Sequence, residues 1–145
     1  MTTQTEARDA VMDAIRDAWL ADALTMGIAL QWDNVKADPL GEDDDGNPLP
    51  WARVSVRHIF SGQETIAGPG SRKHQTEGVV TVQVFTPSGD GHSLADQIVE
   101  VLKPALRNVA IGNLWFYNVR VNELGTDGAW FVQNFLANFR YSELA

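Results

Sequence analysis

Residues 76–86 read Thr76-Glu77-Gly78-Val79-Val80-Thr81-Val82-Gln83-Val84-Phe85-Thr86, and this run decides the fold. It is rich in β-branched side chains, and Val80, Val82 and Val84 fall at every second position, so one face of an extended strand is apolar. Upstream, residues 51–60 carry the same period. Ala52, Val54, Val56 and Phe60 alternate with Arg53, Ser55 and Arg57, and His58 is the one polar residue on the apolar side. Between the two runs, residues 61–75 hold Gly62, Gly68, Pro69 and Gly70, which predicts a long flexible hairpin tip carrying Arg72, Lys73 and His74.

Downstream, Pro87-Ser88-Gly89-Asp90-Gly91 turns the chain, and Ser93 with Asp96 three residues later gives a capping-box-like start to a helix. Leu94, Ile98, Leu102 and Leu106 recur at every fourth position, a stripe suited to packing on a sheet, and Pro104 predicts a bend or an end near Lys103. Two further strands are expected at residues 115–124 and 129–141, joined by Gly125-Thr126-Asp127-Gly128. The last alternates Phe131, Phe135, Ala137, Phe139 and Tyr141 with Asn134, Asn138 and Arg140.

Toward the N-terminus, residues 5–24 place Ala7, Val11, Ala14, Ile15, Ala18 and Trp19 at helical spacing. The opposite side carries Asp9, Asp13, Arg16 and Asp17, acids that suit a helix N-terminal half and read as a solvated face. Residues 28–33 form a short strand. Residues 35–50, with Pro39, Gly41, Gly46 and Pro48, form an acidic loop. The order is α-β-β-β-α-β-β, an α+β domain over residues 1–145 in which two helices cover one face of a mainly antiparallel sheet.

Composition narrows the function. The chain has 145 residues, 44% of them hydrophobic, and no cysteine, so disulfides, thiolate catalysis and cysteine-ligated metals are excluded. The apolar stretches are far shorter than the roughly 18–20 residues that span a bilayer, and residues 1–5 carry no positive charge ahead of an apolar run. The expectation is a soluble, unsecreted protein without membrane contact. The net charge of −8 resides in residues 1–50, with 11 acids against 3 bases, while residues 51–145 hold 8 of each. Such a chain is poorly suited to gripping nucleic acid, because that affinity comes from Lys and Arg displacing phosphate counterions.

The motifs that suggest chemistry dissolve on inspection. Glu42-Asp43-Asp44-Asp45-Gly46-Asn47 has the glycine of a calcium loop, but aligned on Gly46 the first position is Gly41 and the twelfth Ala52, and neither supplies a carboxylate. Gly89-Asp90-Gly91 lacks the third glycine of a dinucleotide fingerprint, where Leu94 stands. Gly68-Pro69-Gly70-Ser71-Arg72-Lys73 lacks the spacing and the following helix of a phosphate-binding loop. His58, His74 and His92 fall in a strand, a tip and a turn, with no metal-ligand spacing. No enzyme mechanism, cofactor or metal site emerges. Trp115-Phe116-Tyr117 sets large aromatics on both faces of one strand, which fits either a strand buried on both sides or one that meets another subunit.

Taken together, Trp51-Ala52-Arg53-Val54, Ser61-Gly62-Gln63, the Gly-x-Val-x-Val-Gln-Val-Phe-x-Pro pattern of residues 78–87, Gly89-Asp90-Gly91 and the helix from Leu94 resemble the small tail terminator proteins of long-tailed bacteriophages. The resemblance runs from the first helix to the last strand in the same order of elements, with a longer acidic insertion at residues 42–45. It implies a structural virion protein at the tail–neck junction, present in the host cytoplasm during assembly. Such a protein forms a ring, usually of six subunits, that caps the tail tube, stops further tube subunits adding and offers a surface to the head connector. A sibling reading is a head–tail joining or minor tail protein of the same virion. On the ring reading the strand edge around Trp115 and Tyr117 meets a neighbour. The acidic Asp43, Asp44 and Asp45 and the basic Arg72 and Lys73 are complementary in sign, and face a neighbouring subunit or the tube. DNA passes through such a ring without specific binding.

Overall fold

The computed structural model describes residues 3–35, 46, 48–63, 65–89 and 91–144. Its elements are α1 (Gln4–Ala21), β1 (Ala29–Trp32), β2 (Trp51–Gln63), β3 (Lys73–Pro87), α2 (Ser93–Leu106), β4 (Ala110–Ile111), β5 (Leu114–Asp127) and β6 (Trp130–Leu144). The strands form a six-stranded sheet in the order β1-β2-β3-β6-β5-β4. The expected α+β class holds, with two corrections. The sheet is mixed, because β1 pairs with β2 in parallel, and β4 adds a strand to give α-β-β-β-α-β-β-β. Two residues are too few to show a period, and a connection as long as residues 33–50 can return the chain to the same end of the sheet, as parallel pairing requires.

Both helices lie on one face. α1 buries Ala7, Val11, Ile15 and Trp19, and α2 buries Ala95, Ile98, Val99, Leu102 and Leu106, against Val54, Val82, Phe135, Phe139 and their strand neighbours in one core cluster. Each large side chain so buried contributes about 1.5–3 kcal/mol. The Thr3 hydroxyl caps α1 by accepting from the Glu6 amide at 3.2 Å. At its far end Trp19 Nε1 donates to the Ile28 carbonyl at 2.9 Å and Thr25 Oγ1 to the Trp19 carbonyl at 2.6 Å, which fixes the turn into β1.

Gly78 explains a glycine in mid-strand: a Cβ there would lie 2.3 Å from Phe139 Cζ and 2.5 Å from the Arg57 carbonyl oxygen. The phenyl ring occupies the space that glycine leaves. His58, the register partner of Gly78, sits edge-on to Phe139 and Tyr141 at 5.6 and 5.8 Å.

Local signals failed where tertiary pairing overrode them. A bulge between His58 and Phe60 switches the alternation, so Phe60 points away from the core and is exposed. The hairpin stays paired out to Gln63 and His74, which shortens its tip. His92, not Ser93, is the N-cap of α2, and it makes no side-chain cap bond; Ser93 Oγ accepts from Gln97 instead. α2 continues past Pro104 to Leu106 rather than ending near Lys103, and the Arg107 amide closes its last turn on the Lys103 carbonyl. Gly125 and Thr126 belong to β5, and the turn is at residues 128–129.

Candidate subunit interface

The face of the sheet away from the helices is polar, and its side chains are locked to one another. At one end, Phe60, Glu77, Arg140 and Trp115 stand side by side on β2, β3, β6 and β5. Arg140 donates through Nη2 and Nε to Glu77 Oε1 at 2.8 and 3.2 Å, and its guanidinium lies over Trp115 and Tyr117 at 5.5 and 5.6 Å. The hydrogen bond from Arg140 holds the Glu77 carboxyl below its ordinary range. At the other end Trp51 stacks on Phe85 at 4.1 Å, Trp130 meets both edge-on, and Arg53 lies over Phe85 at 5.9 Å. Val132, the register partner of Phe85, is buried here outside the helix-side core cluster. Between the two ends a shallow depression of about 390 Å³ is lined by Asp33, Arg53, Ser55, Arg57, Thr81, Gln83 and Asn134, with Arg57 paired to Asp33 at 3.0 Å.

Among the described residues the sheet is also open at both sides. There β1 covers β2 at Trp51, Ala52, Arg53 and Val54, and β4 covers β5 at Leu114 and Trp115, with the Phe116 amide donating to the Val109 carbonyl at 3.3 Å just before β4. Among the described residues, 55–63 and 117–127 are therefore edge strands. They carry exposed apolar side chains at Ile59, Phe60, Val121 and Leu124. The alternation of β2 set Ile59 with Arg53 and Arg57 but put Phe60 on the apolar side, because the bulge that turns Phe60 outward has no signature of its own.

Trp115 is 39% exposed on the helix-free side and Tyr117 is half-buried beside it, while Phe116 between them is buried in the core. Arg72 and Lys73 lie at the base of the hairpin tip, some distance along the sheet from Tyr117. Arg72 Nε donates to the Ala67 carbonyl at 2.8 Å, and the Lys73 amide to Thr65 Oγ1 at 2.8 Å, so both help shape the tip. Asp43, Asp44 and Asp45 lie outside the described residues. His58 is half-buried. Arg8 donates to its Nδ1 at 3.2 Å, its Nε2 has no partner, and burial followed by the Arg8 charge holds its pKa below the ordinary value. Among the described residues no group of three or more His, Asp or Glu is placed to hold a metal, and no helix is long and apolar enough to cross a membrane.

No curated protein matches the sequence. A solved structure that is 21% identical aligns over 97% of this chain and 96% of its own with a TM-score of 0.68, which establishes the likeness of fold. The sequence pattern of one protein family, described as phage tail terminator protein, matches residues 7–111, from the first buried position of α1 through the central hairpin and α2 to β4. That match spans well over half of the chain and includes the hairpin that decides its fold, and the chain belongs to the phage tail terminator family.

Proposed function

We propose that this chain caps the finished tail tube as a ring, usually of six subunits, ends tube polymerisation, and provides the joint to the head connector at the tail–neck junction. Membership of a tail terminator family is the observation that carries the reading. The two open sheet edges support it, because a closed ring needs two different surfaces that fit each other head to tail. The role is mechanical: the chain supplies a shape that tube subunits cannot extend, and no bond is made or broken. DNA passes through the ring without specific binding, in keeping with a net charge of −8.

In this reading Trp115 and Tyr117 lie at or beside the contact between subunits, and Arg72 and Lys73 at the hairpin tip meet acidic groups of a neighbour or of the tube, with Asp43, Asp44 and Asp45 as the complementary set within the chain. The test is addition of purified protein to growing tail tubes. Tubes that stop elongating and carry one ring at the end support the role. Tubes that elongate unchanged, with the protein bound to connectors instead, favour a head–tail joining protein.

A further inference from the structure

We propose that residues 55–63 of β2 in one copy pair antiparallel with residues 117–127 of β5 in the next, so that a single sheet continues around the ring. The inference rests on the ring reading above and names its interface. Its basis is where, among the described residues, the two edges are free. Across the ladder Trp51 lies in line with Phe85, Val132 and Gly125, whereas Phe60 lies in line with Glu77, Arg140 and Trp115. β1 therefore covers one end of β2 and β4 covers the opposite end of β5. The free lengths are diagonal to each other.

Two copies displaced along the strand direction bring the free part of β2 against the free part of β5, with β1 and β4 as stops at the two ends of the contact. Such a stagger, repeated at each joint, is the shear that a closed sheet needs. Direction agrees as well. β2, β3, β6 and β5 alternate in sense, so β5 runs opposite to β2, and rotation about a ring axis presents it antiparallel to the neighbour's β2. The helices then stay on one side of the joint and the polar face on the other.

The side chains fit this pairing. Ile59 is 64% exposed, Phe60 57%, Val121 37% and Leu124 53%, and all four lie on the two free lengths. Neither stretch contains the lysine or proline that guards edges meant to stay unpaired. The bulges at His58/Phe60 and Tyr117/Arg120 add the twist of sheets that close on themselves.

The chain has no cysteine, which gives a clean background for cross-linking. Phe60→Cys is combined with Arg120→Cys in one variant and with Asn122→Cys in another, all at exposed positions, and each is treated with a short bis-maleimide after light scattering has established its mass. A covalent ladder rising to the full ring in at least one double variant, with only monomer from each single variant, is the expected result. A ring-sized mass without a ladder in either double variant overturns the pairing and leaves the ring standing. A covalent dimer from Phe60→Cys alone overturns it in favour of a two-fold β2–β2 contact. A monomeric mass at every concentration, with and without tail tubes, removes the ring reading and this inference with it. As a second check, Ile59→Lys with Val121→Lys is expected to keep the native circular dichroism and lose the ring; a ring of undiminished stability contradicts the pairing.

Discussion

The two faces of this sheet are built from the same strands and do opposite work. On the helix-covered face, β3 presents Val80, Val82 and Val84 to two helices, all of them buried to within a few percent. One residue away along the same strand, Glu77, Val79, Thr81 and Gln83 are half-buried on a face that no helix covers. There the order comes from pairs such as Arg140 with Glu77, Trp115 and Tyr117 and from the Trp51–Phe85 stack, not from an oily core. The contrast teaches that folding is settled by one face, which leaves the other face and both edges available to a neighbour. Substitutions on the covered side are therefore expected to act most strongly on stability, those on the open face only weakly, and those at the edges and the hairpin tip on assembly.

The largest expected effect is on the covered side. Leu102→Ala, at a site with no solvent exposure, is expected to lower unfolding free energy by about 2–5 kcal/mol in urea titration. A silent substitution would mean that α2 does not seal the core. Next comes Gly78→Ala, expected to cost about 1–3 kcal/mol by forcing Phe139 or the β2 backbone to move. Phe139→Leu in the same chain is expected to recover part of that loss, because the ring is one of the two clashing groups, the Arg57 carbonyl being the other.

A smaller effect separates the faces by pH. Burial and the nearby Arg8 charge depress the folded pKa of His58, so between that value and the unfolded value of about 6.5 the unfolded chain binds the extra proton. Stability is then full above about pH 6.5 and falls as acid is added through that window. His58→Gln is expected to flatten the fall in melting temperature between about pH 7.5 and 5. An unchanged slope would place the titration elsewhere. On the open face Arg140→Ala is expected to cost about 1 kcal/mol, the scale of a half-exposed ion pair with ring contacts, measured by the same titration. Least of all for folding, Arg72→Glu with Lys73→Glu is expected to change stability by about 0.5 kcal/mol or less while weakening ring closure or tube capping, read by tube-length distributions in electron micrographs. Unchanged capping would remove both residues from the interface.

This contrast also explains what was legible in the sequence. Period-2 and every-fourth-residue patterns record burial on one side, so Val80, Val82, Val84, Ile98, Leu102 and Leu106 announced the covered face and the α+β class directly. Edges and open faces leave weaker marks. β4 is two residues long, the parallel pairing of β1 depends on a partner more than 20 residues away along the chain, and the bulge that exposes Phe60 is a matter of cross-strand register. Ser93 had the chemistry of a cap, yet the helix begins one residue earlier than that role requires. Trp115 and Tyr117 stood out for their size, whereas the free lengths beside them emerged only once β1 and β4 were seen to stop short.

The central claim is that this chain acts as a ring at the end of a tube. Light scattering across protein concentrations, with and without purified tail tubes, tests it most directly. The account expects a species near six times the 16.0 kDa chain mass, either free in solution or formed on the tubes. A chain that remains a monomer at every concentration and does not bind tubes would contradict it.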